Sequence, residues 1–209
     1  MAKINSDPPN KDRRLILASG SPQRTALLKS SGYTFDSMAP QIDEGEGLCS
    51  HCGPAELVAT LALRKAADVV GRMDAAGDGT LPVVIGCDTV AECGGEILGK
   101  PQNVEHARKM LQRLSGQPHR VYSGLCLWPT ATGIPITEVA VTELQMDHLS
   151  EEQIEQYLQA GAWEGKAGAF GYQDGPEWLK ITKGSASNVI GLPMELLAEM
   201  LARVDAKLA

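Results

Sequence analysis

The chain has 209 residues, 43% of them apolar and 22% charged, with a formal charge of −7. These proportions fit a soluble globular protein of one domain, or two closely joined lobes, that can bury a sizeable core. They argue against a general nucleic-acid binder, whose surface is usually basic, and no run of eighteen apolar residues is present to span a membrane. Residues 1–13 are polar and Pro-containing, so they read as a disordered tail on a cytoplasmic protein, with residues 14–209 as a single domain.

Leu15–Ala18 reads as a short apolar strand, followed directly by Ser19-Gly20-Ser21-Pro22-Gln23-Arg24. Ser21 suits an N-cap and Pro22 the first helical position, so the pattern predicts a helix through Leu27 and Leu28 to a stop at Gly32. A helix N-terminus with Arg24 in its first turn suits a phosphate, although an ordinary capped helix accounts for the same residues. Tyr33–Met38 is expected to be a second strand. Beyond it, Asp43, Glu44 and Glu46 read either as a solvated loop or as a source of one metal-binding acid, Glu44, that joins Asp88 around a divalent cation.

Five cysteines in such a chain suggest free thiols. Cys49, His51 and Cys52 have the spacing of zinc ligands, but no second pair follows, so a reduced surface loop is the reading adopted. Pro54–Val70 is a helix with an apolar face at Leu57, Val58 and Leu61. Lys65 lies near the edge of that face, where it either snorkels to solvent or reaches a phosphate.

Val83–Ile85 is a buried strand that is expected to hand over to a loop at Asp88 and Thr89. A hairpin tip at Gly94-Gly95 would return Lys100 towards Asp88. An acid able to bind a metal or activate water then shares a site with a phosphate-binding cation. A turn-capping Asp and a solvated Lys are the alternative.

Asn103 caps a helix with a face of Val104, Ala107, Met110, Leu111 and Leu114. His119–Trp128 and Ile136–Leu149 are long strands, and Ser150 to Gln153 form a capping box for a helix that ends at Gly161. Lys166–Gln173 gathers small residues around an aromatic. Trp178–Thr182 is a strand, Gly184–Asn188 a loop, and a last helix covers Met194–Val204.

Five blocks then stand in one order: LASGSPQR (17–24), IDEG (42–45), VVIGCDTV to LGKP (83–101), KAGAFGYQ (166–173) and SNVIGLP (187–193). On these the chain, from about Leu15 to Leu201, resembles the Maf family of nucleoside triphosphate pyrophosphatases. The resemblance implies an α/β fold with a long bent mixed sheet, flanked by helices, and two lobes around a central cleft. It implies hydrolysis of a nucleoside triphosphate to monophosphate and pyrophosphate with Mg²⁺ or Mn²⁺, in a homodimer; the charge and the lack of a long apolar run leave no nucleic-acid or membrane partner expected.

By the same resemblance, Asp88 is the general base and shares the metal with Glu44, while Ser21, Arg24, Lys65 and Lys100 contact phosphates. Gln23, Thr89, Lys166 and Gln173 complete the substrate set. Relatives that prefer dTTP and UTP usually carry Arg after the Ser-Pro, and this chain has Gln23 there. Thr89 and Gln173 do match that branch, so it fits best, with broader base tolerance expected. The competing reading is a non-catalytic, nucleotide-binding regulator linked to cell division; the intact Asp88, Glu44, Lys65 and Lys100 argue against it. No Ser-His-Asp or Cys-His pairing supports a covalent mechanism.

Overall fold

The computed structural model describes residues 13–43, 52–73, 81–172 and 177–208. The apolar run Leu15–Ala18 forms β1, buried along its whole length, and Pro22–Ser30 follows as α1. Ser21 caps α1 with its side chain, and Gly32 closes the segment at φ 80°. The strand expected over Tyr33–Met38 shrinks to Asp36–Ser37 (β2). Both residues are exposed, so no buried face extends the strand, which is held by pairing with β1 and by the Arg14–Asp36 ion pair at 3.0 Å.

α2 spans Pro54–Arg72. β3 (Val83–Cys93) turns at Gly94 and Gly95, both at positive φ, into β4 (Glu96–Leu98). α3 (Val104–Leu114) starts at the Asn103 cap and buries Ala107, Met110, Leu111 and Leu114. Val104 departs from the expected face: it is 45% exposed in the first turn, before the helix reaches the sheet.

β5 (Pro118–Pro129) and β6 (Ile136–Met146) form the long central hairpin, and α4 (Glu151–Gln159) begins at the Ser150–Gln153 capping box. A 3₁₀ turn, Ala167–Ala169, precedes β7 (Leu179–Lys183). The expected loop at Gly184–Asn188 instead contains α5 (Ala186–Ile190), because the Ser185 side chain accepts from Asn188 N and so caps a helix. α6 runs Met194–Leu208.

The strands form one mixed sheet in the order β2-β1-β3-β5-β6-β7, with β4 paired to β3. β1 is parallel to β2 and β3, and the remaining pairs are antiparallel. The fold is therefore α/β, as expected. α2 lies on one face of the sheet with a stripe of Val58, Leu61, Ala62, Lys65, Ala66 and Val69 at helical spacing. Two glycines let it approach: a Cβ on Gly86 would sit 2.2 Å from the Ala62 carbonyl oxygen, and one on Gly124 2.1 Å from that of Val58.

The opposite face carries two apolar clusters. One joins Ile85, Cys87 and Leu125 to Leu197 and Met200 of α6, and the other joins Ala91, Val121 and Leu144 to Phe170 and to α3 and α4 side chains. Between them, the paired residues Thr89 and Ser123 form a polar break. No helix among the described residues is long and apolar enough to cross a membrane.

Candidate active site

β3 builds the site through a gap in its pairing. β5 accompanies one edge of β3 from Val83 to Glu92. On the other edge, β1 pairs through Val83–Gly86 and β4 only through Ala91–Cys93. Among the described residues, no strand covers that edge at 87–90. The chain after β1 turns into α1 there, and a cleft of about 530 Å³ opens beside it. Asp88 and Thr89 thus sit in mid-strand, not at the expected strand–loop junction. Pairing with β5 carries the strand through, and Gly86 serves the approach of α2 rather than a turn.

Side-chain alternation sends Asp88 and Thr89 to opposite faces of the sheet. Asp88 meets α2, where Lys65 Nζ donates to Asp88 Oδ1 at 2.5 Å. Both residues are buried, at 7% and 4% exposure. Lys65 is therefore inside the apolar stripe of α2, not at its edge. Its place follows the spacing from Val58, Leu61 and Ala62, and a lysine so buried requires a counter-charge.

Thr89 faces Arg24 on the other side. The guanidinium donates from Nε to Gly191 O at 2.8 Å, from Nη1 to Ser19 Oγ at 3.2 Å, and from Nη2 to Thr89 Oγ1 at 3.3 Å. Ser21 caps α1 by accepting from Arg24 N and donates its hydroxyl proton to Gln23 Oε1 at 2.9 Å. Burial pushes the neighbouring Cys87 thiol up, so it stays protonated and donates to Gly191 O at 3.3 Å.

Lys100 and Lys166 line the same cleft. Gly168 N donates to Gly99 O at 3.0 Å, which ties the Lys100 segment to the turn that follows Lys166. The turn needs its glycine: Gly168 has φ 70°, and a Cβ there would lie 2.8 Å from Phe170 Cε1 and 3.0 Å from Ala91 Cβ.

Residues 14–204 match the Maf-like protein family model. The chain belongs to that family. It is 52% identical over 189 residues to a dTTP/UTP pyrophosphatase of Rhodopirellula baltica, a match that covers 90% of this chain and 80% of that one. A dTTP/UTP pyrophosphatase of Geotalea uraniireducens is 38% identical over 193 residues, with 92% and 95% covered. One of Alkaliphilus metalliredigens is 38% identical over 189 residues, with 90% and 94% covered.

In this Maf-like protein the cleft brings together Ser21, Gln23, Arg24, Lys65, Asp88, Thr89, Lys100 and Lys166. Glu44 and Gln173, like Cys49 and His51, lie outside the described residues; Cys52 is half-buried just before α2. Among the described residues no group of three or more His, Cys, Asp or Glu stands ready for a metal. Asp88 still fits a Mg²⁺ or Mn²⁺ ion shared with substrate phosphates, since such ions are held by one or two carboxylates plus phosphate oxygens.

Sequence reasoning missed four residues of the site. Ser19 and Gly191 stood inside the quoted blocks, but a hydroxyl and a main-chain carbonyl carry no charge pattern to single them out. Glu164 lines the cleft two residues before the KAGAFGYQ block, and Ser123 touches Thr89 Oγ1 at 2.8 Å from β5. Neither had a local signal.

Proposed function

We propose that the protein hydrolyses dTTP and UTP to the monophosphate and pyrophosphate, using a divalent cation, Mg²⁺ or Mn²⁺. The observation that carries this reading is a buried carboxylate, Asp88, in one cleft with Arg24, Lys65, Lys100 and Lys166. Splitting a triphosphate between its α- and β-phosphates needs charge neutralisation and an in-line water more than covalent chemistry.

In this reading the cations hold the triphosphate, with Arg24 and Ser21 at the N-terminus of α1 and Lys100 across the cleft. Lys65 fixes Asp88 through Oδ1, and Asp88 accepts the proton of the attacking water. Water adds at the α-phosphorus and the bond to the β,γ-unit breaks, so pyrophosphate leaves. The cation, when bound by Asp88 and Glu44 with the phosphates, supplies further neutralisation of charge.

The names of the relatives and the presence of Thr89 support the pyrimidine preference. Gln23 is the departure from that branch. Its carbonyl accepts from Ser21, which fixes the side chain in the cleft, and the neutral amide keeps both donor and acceptor capacity for a base edge, in line with broader base tolerance. The test is a panel of nucleoside triphosphates with Mg²⁺ and with Mn²⁺, separating pyrophosphate from phosphate release. Pyrophosphate and monophosphate from dTTP and UTP are expected. Release of single phosphates, or no turnover with any nucleotide, overturns the proposal.

A further inference from the structure

We propose that the main-chain carbonyl of Gly191 is the positioning group for the Arg24 guanidinium, and that residue 191 is glycine for this reason. The inference rests on reading Arg24 as a ligand of the substrate phosphates.

Gly191 O is a meeting point of three donors from two elements distant in the chain. Arg24 Nε of α1 donates to it at 2.8 Å, and Thr89 Oγ1 and Cys87 Sγ of β3 each donate at 3.3 Å. Thr89 Oγ1 lies within hydrogen-bond distance of this carbonyl and of Ser123 Oγ while it accepts from Arg24 Nη2, so Gly191 and Thr89 together grip one edge of the guanidinium. Ser19 Oγ takes an N–H of Nη1. Three of the five N–H donors are committed to the protein, and two remain for an anion. The planar cation thereby has one orientation before substrate arrives, which lowers the ordering cost of phosphate binding.

The direction of this carbonyl depends on an unusual backbone. Gly191 has φ 121° and ψ 9°, a region that L side chains rarely adopt. Its N–H is held by the carbonyls of Ser187 and Asn188 at 3.1 and 3.0 Å, and the next N–H, of Leu192, also bonds to Ser187 O. Space is not what demands glycine. A Cβ would lie 3.8 Å from Thr89 Oγ1 and 3.9 Å from Arg24 Nε, ordinary contact distances. A side chain at 191 therefore acts by turning the peptide plane, which swings the carbonyl away from Arg24 without crowding it.

The experiment is a double-mutant cycle of Gly191→Ala with Arg24→Ala, reading kcat and KM for UTP and the inhibition constant of inorganic pyrophosphate. Gly191→Ala alone should lower kcat/KM tenfold or more, mainly through KM, and weaken pyrophosphate inhibition in parallel. On the Arg24→Ala background it should cost less than twofold. A merely structural role would cost the same on both backgrounds, and that result overturns the proposal.

Should Gly191→Ala not fold, nitrogen-15 NMR of the wild-type protein decides the matter. The Arg24 Nε–H must exchange with solvent far more slowly than exposed arginines do, and exchange at their rate overturns the proposal. If Arg24→Ala keeps full kcat/KM, the phosphate-ligand reading has failed, while the Nε–H exchange still reports on positioning.

Discussion

The two faces of β3 supply the cleft in different ways. On the α2 face the working groups are a buried ion pair, Lys65 with Asp88, under a helix that touches the sheet through Gly86 and Gly124. On the α5 face they are neutral groups, Thr89, Ser123 and Gly191 O, which share bonds of 2.8 to 3.3 Å with one another and with Arg24. A buried pair has no cheap partial state: removing either charge strands the other. A network of weak hydrogen bonds loses strength by steps of about 0.5–1.5 kcal/mol. The α2 face should therefore fail abruptly under mutation, and the α5 face gradually.

The sharpest break is Asp88→Asn. It removes the proposed base, and turnover should fall by about two orders of magnitude or more. It also removes the carboxylate charge that the buried Lys65 ammonium faces, which should cost about 3–5 kcal/mol in urea unfolding. Replacing the pair together, Lys65→Met with Asp88→Leu, should recover most of that stability and none of the activity. If Asp88→Asn keeps wild-type stability, the ion pair does not govern this face.

Next in size is Gly86→Ala. The added methyl would meet main-chain oxygen of α2, which cannot rotate away, so at least the roughly 1–3 kcal/mol typical of overpacking should be lost. Gly124→Ala should behave alike. A urea midpoint unchanged in either variant would show that α2 can lift from the sheet at little cost.

Thr89→Val probes the other face. It keeps the shape but removes the hydroxyl between Arg24, Ser123 and Gly191 O. Each lost bond is worth about 1 kcal/mol, so kcat/KM for UTP should fall roughly five- to thirtyfold, with a smaller loss of stability than for Asp88→Asn. A thousandfold loss would mean that Thr89 acts directly on the reacting atoms.

The smallest effect belongs to His119, on the same face as Thr89 and edge-on to Phe170 at 5.3 Å between ring centres. Burial holds its imidazole below the usual 6.5. As pH falls below that value, the unfolded chain takes up a proton that the folded chain resists, so stability declines with acidification. In His119→Phe the decline between about pH 7 and 5 should be shallower, because the proton uptake is gone. Equal slopes in urea unfolding would show that His119 protonates freely in the fold.

What the sequence by itself determined is local. The caps at Ser21, Asn103 and Ser150, the turn at Gly94-Gly95 and the stripes of α2 and α3 depend on residues within a few positions of one another, where spacing and side-chain type decide the outcome. The residue types of the site were legible for the same reason, since Arg24, Lys65, Asp88 and Lys100 carry their chemistry wherever they are placed.

The tertiary structure alone decided how those residues meet. β3 continues through Asp88 and Thr89 because Gly124 and Ser123 of β5, distant in the chain, pair with them. Lys65 finds Asp88 across 23 residues, and Arg24 finds Gly191 O across 167. Contacts of that separation form only once loops have closed and helices have docked on the sheet. A hydroxyl such as Ser19 or a peptide carbonyl such as Gly191 becomes part of a site only when a distant donor is delivered to it.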